Sequence, residues 1–170
     1  MIGALIVVDM QNDYLWDKRK TMFNYNTDEL VAAVNSSIKK YSAEGYDIIY
    51  LSQVFQNIIT NRKLIGFSIA NTPGAELYSG LDLVSDLRFD KHLPDSFTSP
   101  AFKKYAKSRN FENIVICGLD LCGCVGATAK GALKTGAKVF IIDNSTGCRF
   151  PKEKELKNRR KLQGYGVKFI

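Results

Sequence analysis

Short apolar runs alternate with longer amphipathic stretches along the chain. Ala4–Leu5–Ile6–Val7–Val8 is a continuous apolar run ending at Asp9, which predicts a strand buried on both faces. From Asn26 to Glu44 the apolar positions Leu30, Val31, Val34, Ile38 and Tyr41 recur at helical spacing. Asn26 to Glu29 supply a cap and an acidic first turn there, and Gly45 supplies the stop. Asp47–Leu51 is a second strand, and Leu87–Lys91 a short third one. Between them residues 53–85 are irregular, punctuated by Pro73–Gly74 and Ser79–Gly80. Ser99–Asn110 is predicted to be a helix with Pro100 in its first turn. Ile114–Cys117 follows as a strand, Cys122–Thr135 as a helix stopped by Gly136, and Lys138–Ile142 as a strand ending at Asp143. Lys152–Gln163 is a charged helix and Val167–Ile170 a last strand.

Doubly buried strands alternating with helices imply right-handed crossovers and an α/β sandwich of three layers around a mostly parallel sheet. No repeat or linker interrupts residues 1–170, so a single domain is expected. Sites in such sheets lie beyond the carboxyl ends of the strands. The positions to inspect are therefore Asp9, Gln53, Lys91, the 118–124 loop and Asp143.

Composition narrows the function classes. The formal net charge is +7, but residues 149–170 alone hold 8 basic against 2 acidic side chains. The excess is thus local, the ordinary reading being a solvated helix face, and nucleic-acid binding is not expected. The run at 2–8 is too short to span a membrane and has no basic flank, so the chain is expected to be soluble, cytoplasmic and without a membrane partner. Four Cys then read as reduced thiols. Their spacing lacks the C-x₂-C pairs of a zinc site, and a lone His excludes sites built on several imidazoles.

Three reactive side chains fall at strand ends. Cys124 lies at the first turn of a small-residue helix, where N–H groups and positive potential favour a thiolate and an oxyanion. Asp9 is placed to act as a base, and Lys91 as a cation that stabilises negative charge. Taken singly, each has a plain alternative: a loop-capping Asp, a small buried Cys, a solvated Lys.

Several blocks together resemble the isochorismatase-like cysteine hydrolases, which include nicotinamidases, N-carbamoylsarcosine amidases and isochorismatases. Asp9–Met10–Gln11–Asn12–Asp13–Tyr14 resembles the D-x-Q-x-D-F opening of that family. Thr72–Pro73–Gly74–Ala75–Glu76–Leu77 is similar to its G-T-x-G-A-E-L segment. Lys91 to Phe97 resembles its second block, and Gly118 to Val125, followed by Ala127–Thr128–Ala129, resembles the block around its nucleophile.

The resemblance implies a six-stranded sheet in the order 3-2-1-4-5-6, Rossmann-like, with a catalytic triad of Asp9, Lys91 and Cys124. It implies a thioester acyl-enzyme and a non-proline cis peptide at Leu119–Asp120. The Asp120 and Cys124 N–H groups would then form the oxyanion hole. Tyr14, Trp16, Gln53 and Phe97 are the expected substrate-pocket residues, with Trp16 equally readable as a packed ring. Gln11 and Asp13 read as loop hydrogen-bonders. Nicotinamidases carry a metal-binding Asp-x-His after the second strand, and the matching positions here are Gln53 and Phe55. No metal or cofactor is therefore expected.

The expected function is hydrolysis of a C–N bond in a small amide or ureido molecule, by a protein that forms homo-oligomers. The alternatives are an isochorismatase-type vinyl-ether hydrolase and a non-catalytic assembly or binding protein on the same fold. Two departures from the family pattern stand out. Asp120 occupies a position usually small and apolar, where its side chain is expected to face solvent. Cys122 stands where an Asp is usual, as a packed residue or as a redox partner of Cys124.

Overall fold

The computed structural model describes residues 2–170. The elements run β1 (Gly3–Val8), α1 (Asn12–Leu15), α2 (Thr27–Ala43), β2 (Asp47–Gln53), α3 (Ile59–Leu64), β3 (Arg88–Lys91), α4 (Pro100–Arg109), β4 (Asn113–Gly118), α5 (Gly126–Leu133), β5 (Lys138–Thr146), α6 (Lys152–Gly164) and β6 (Lys168–Phe169). The six strands form one sheet in the order β3-β2-β1-β4-β5-β6. All five pairings are parallel.

The pleat sorts the core into two layers. Ala4, Ile6 and Val8 of β1 face a cluster completed by Phe102 and Ala106 of α4, Ala129 and Ala132 of α5, and Leu162 of α6. Leu5 and Val7 face the opposite cluster, built with Leu30, Val31, Val34, Ile38 and Tyr41 of α2. The apolar stripe read in the sequence between Asn26 and Glu44 is thus the buried face of α2. Asn26 Oδ1 accepts the cap hydrogen bond from the Glu29 N–H at 3.4 Å. Among the described residues no helix is long and apolar enough to cross a membrane.

The sequence reading needs correction in three places. Residues 12–15 and the segment 53–85 hold short helices, α1 and α3, too brief to leave a periodic pattern. β5 runs on to Thr146, because after a register shift Thr146 pairs with Gly118 of β4. Asp143 therefore lies within a strand, ion-paired with Arg159 of α6, and not at a strand-end site. Last, the helix expected from Cys122 begins as a wide turn, Leu121–Val125, in which Gly123 leaves helical geometry (φ −127°, ψ −114°). Regular helix starts only at Gly126.

Candidate active site

Asp9 follows directly from β1. Its N–H continues the ladder to Leu51 O at 2.8 Å, and its backbone then turns into the left-handed region with φ 52°. A non-glycine residue is held there only where its surroundings enforce it. The neighbouring turn needs a true glycine. Gly118 has φ 103°, and a Cβ on it would meet the Val8 carbonyl oxygen at 2.2 Å. This close approach sets the 119–124 turn against Asp9.

Lys91 ends β3 and is fully buried. Its Nζ donates to Asp9 Oδ2 and to Gln53 Oε1, both at 3.0 Å. Asp9 Oδ1 and Gln53 Nε2 are buried and have no hydrogen-bond partner. The Cys124 thiol stands against the Asp9–Lys91 pair, and both charges act on it. Burial raises the Asp9 carboxyl above its ordinary value, and Lys91 offsets only part of that rise. Burial also pushes the Cys124 thiol up to about 12, with Asp9 adding to the rise and Lys91 opposing it. Burial first, and then the Asp9 charge, thus work against the thiolate expected from a helix N-terminus.

The Leu119–Asp120 peptide is cis, at the position the family resemblance implied. Asp120 does not face solvent. Its carboxylate is buried, with Oδ2 accepting from Tyr25 Oη at 2.8 Å and from the Arg149 N–H at 2.7 Å. Oδ1 accepts from the Cys122 N–H at 2.8 Å. Cys122 does not turn toward Cys124 either: its sulfur lies 3.7 Å from that of Cys148.

The expected pocket residues divide. Tyr14 is close to the reacting groups, since the charges of Asp9 and Cys124 help burial hold its phenol far above its usual value. Its oxygen accepts from Ser68 Oγ at 2.8 Å, and its ring meets Phe23 edge-on at 4.8 Å. Gln53 joins through Lys91. Trp16 and Phe97 make no hydrogen bond or ring contact with Asp9, Lys91 or Cys124 among the described residues. Trp16 lines a cleft of about 520 Å³ with Asp13, Phe67 and Ile69, and none of Asp9, Lys91 and Cys124 borders it. Phe97 packs on Phe102 at 4.9 Å and lines a different cavity, of about 760 Å³, between α4 and α5. A ring six residues beyond the end of β3 has room to turn to the helical layer, and this one does.

Gln11 and Asp13 tie loops together. Gln11 Nε2 donates to Gln53 O at 3.0 Å and Ala75 O at 2.7 Å, and Asp13 Oδ2 accepts from the Ser68 N–H at 2.7 Å. Phe23, Phe67, Ser68 and Tyr25 were missed in the sequence. They lie in stretches without periodicity: the isolated bridge between residues 55 and 69 brings Phe67 and Ser68 to Tyr14, while Phe23 reaches Tyr14 and Tyr25 reaches Asp120 from the segment before α2.

The family model for the isochorismatase domain matches residues 3–167. The chain belongs to the isochorismatase family of hydrolases. Within that family it is 24% identical over 148 residues to the uncharacterized isochorismatase family protein YddQ of Bacillus subtilis (strain 168), covering 85% of this chain and 77% of that one. It is similar to the pyrazinamidase of Pyrococcus horikoshii solved in complex with zinc: TM-score 0.85, 27% identity, 100% of this chain and 99% of the other. N-carbamoylsarcosine amidase from Thermoplasma acidophilum shares the fold, with TM-score 0.82, 20% identity and coverage of 99% and 95%. Where the sequence resemblance places the metal ligands of nicotinamidases, this isochorismatase-family chain has Gln53, committed to Lys91, and Phe55, whose ring packs on Phe67 at 6.0 Å. A carboxamide so engaged and a hydrocarbon ring are not a metal-donor pair, so these residues do not fit that metal.

Proposed function

We propose that this protein hydrolyses a C–N bond in a small amide or ureido substrate through a thioester on Cys124. The observation that carries the reading is the buried Asp9 carboxylate set against the Cys124 thiol, with Lys91 fixing Oδ2 and no other protein donor on Oδ1. A carboxylate so placed accepts the thiol proton as the sulfur attacks.

In the first half-reaction the Cys124 sulfur bonds to the carbonyl carbon as its proton passes to Asp9 Oδ1. The carbonyl oxygen becomes an oxyanion held by the Asp120 and Cys124 N–H groups. The intermediate collapses, the C–N bond breaks, and Asp9 returns the proton to the departing nitrogen. Water then attacks the thioester carbon and gives a proton to Asp9. The carboxyl or carbamoyl product leaves, and Cys124 regains the proton. Lys91 holds Asp9 Oδ2 throughout and opposes the burial that favours its protonation. Gln53 Nε2 is a donor without a protein partner, and Tyr14, whose oxygen already accepts from Ser68, retains its own proton; both are available to orient the substrate.

Cys124→Ala tests this reading. The variant is expected to lose turnover on a panel of small primary amides and ureido compounds, and to lose covalent labelling at residue 124 by a haloacetamide. Retained turnover in a folded Cys124→Ala protein would overturn the thioester route and leave a cysteine-independent hydrolysis, such as that of a vinyl ether.

A further inference from the structure

The turn that carries Cys124 presents a second set of reactive atoms on its other flank. Asp120, Cys122 and Cys148 each offer one ligand atom, and these atoms all lie within 4.8 Å of one another. Cys148 comes from the loop after β5, 26 residues further along the chain, and is brought in by the fold. The two segments are laced together: the Leu121 N–H donates to Gly147 O at 2.9 Å, and the Gly147 N–H to Gly118 O at 3.0 Å. Asn158 Nδ2 of α6 holds Leu121 O at 2.9 Å. Backbone bonds thus hold the two segments together, and the thiols are further placed by hydrogen bonds from Cys122 Sγ to Lys154 O at 3.8 Å and from Cys148 Sγ to Phe150 O at 4.0 Å.

We propose that Asp120, Cys122 and Cys148 form a binding site for a single thiophilic divalent cation of the zinc class. The 3.7 Å between the sulfurs is the decisive distance. Two thiolates at about 2.3 Å from a tetrahedral cation stand about 3.8 Å apart, so the sulfurs already occupy two corners. Asp120 supplies the third corner. Its Oδ2 is filled by Tyr25 and Arg149, but Oδ1 accepts only from the Cys122 N–H and keeps one lone pair free. The Tyr25 and Arg149 hydrogen bonds play the part that outer partners play for a ligating carboxylate, fixing its orientation. Three protein ligands leave the fourth corner to water or another small donor.

The capping contacts account for Asp120 without a cation. They do not account for two thiols converging on the same carboxylate. Without a cation the arrangement is unfavourable to thiolates, since burial raises both thiols and the Asp120 charge raises them further. A divalent cation reverses that, displacing the thiol protons to solvent as it binds. The site shares no residue with positions 53 and 55, and its existence does not depend on the hydrolytic reading.

The test is a cobalt(II) titration of the reduced protein under anaerobic conditions, read by thiolate-to-cobalt charge-transfer absorption and checked by zinc competition. One equivalent is expected to bind, tighter as pH rises. Cys122→Ser and Cys148→Ser are each expected to weaken binding by more than about 100-fold, since loss even of an outer-shell partner costs 10–100-fold. Cys124→Ala is expected to bind as the parent does. In the parent protein, zinc is also expected to shield Cys122 and Cys148 from alkylation, which keeps the test valid if a Ser variant folds poorly. Absence of the charge-transfer band, its survival in a folded Cys148→Ser protein, or its loss in Cys124→Ala would overturn the proposal.

Discussion

Two thiol–carboxylate clusters flank the 118–125 turn, and they differ in one charge. In the first, Lys91 binds Asp9 Oδ2 and the opposite oxygen is left bare beside Cys124. In the second, Asp120 has no ion-pair partner among the described residues, and N–H and O–H donors occupy it instead. A buried carboxylate whose one oxygen is held by a cation leaves the other oxygen open to a proton. A carboxylate wrapped in neutral donors organises loops, and its remaining lone pair suits a metal better than a proton. Under the two proposals the same pair of residue types would serve as base and nucleophile on one side, and as anchor and ligands on the other.

Asp9→Asn breaks the first cluster most severely. Hydrolysis is expected to fall by about 10²–10⁴-fold, the usual contribution of a positioned base. Yet burial pushes the Cys124 thiol up to about 12, and Asp9 adds to that rise. Removing its charge while Lys91 remains is expected to lower the apparent thiol pKa, so alkylation of Cys124 near neutral pH should quicken as turnover collapses. Parallel loss of both would mean that Asp9 acts by holding the fold alone. In the parent protein kcat/KM is expected to rise along an acid limb displaced above the ordinary carboxyl value of 3.8. With the thiol titrating near 12, no alkaline limb from Cys124 should appear at physiological pH.

Lys91→Met tests the cation. It leaves the Asp9 carboxylate buried and uncompensated, a loss of about 3–5 kcal/mol by denaturant unfolding. The sign with pH follows from Asp9. Its folded-state pKa already lies above 3.8 because burial outweighs Lys91, and the substitution raises it further. Between 3.8 and that folded value the native state binds more protons than the unfolded state, so stability falls as pH rises through the window. The deficit of the variant should be largest at neutral pH and shrink on acidification. A deficit that grows in acid would contradict the assignment of a raised Asp9.

The sequence carried the first cluster further than the second. Asp9, Lys91 and Gln53 fall at the carboxyl ends of strands, and in a parallel sheet such ends converge on one edge, so pattern and topology together located them. The cis peptide at Leu119–Asp120 came from the family motif alone. The companions of the site were illegible for a physical reason. Ser68 and Phe67 belong to a segment whose path is set by pairings of Phe55 with Ile69 and of Gln11 with Leu77, which leave no local periodicity. Asp120 was misread because an acidic residue in a loop is usually solvated, whereas here Tyr25, 95 residues away, closes over it. Cys148 gave no spacing signal, since its nearness to Cys122 follows from the extension of β5 to Thr146. The wide Leu121–Val125 turn was read as ordinary helix because small residues suit both.

The smallest expected effect is also the one that tells the two clusters apart. Tyr25→Phe removes a buried hydroxyl but leaves the Arg149 N–H on Asp120 Oδ2, so no acceptor is orphaned. Loss of one hydrogen bond to a charged group should cost about 1.5 kcal/mol, measured by denaturant unfolding. Asp9, Lys91 and Cys124 do not touch Tyr25 through any hydrogen bond or ring contact among the described residues. The acid limb of hydrolysis and the alkylation pKa of Cys124 should therefore stay where they are in the parent protein. Cobalt affinity at Asp120, Cys122 and Cys148 should weaken by about 10–100-fold, because the carboxylate loses a group that orients it. A Tyr25→Phe protein in which the acid limb moves together with metal affinity would mean that the turn couples the clusters into one site. Unchanged catalysis with weakened cobalt binding would establish two sites on one turn, separated by which oxygen of each carboxylate is left free.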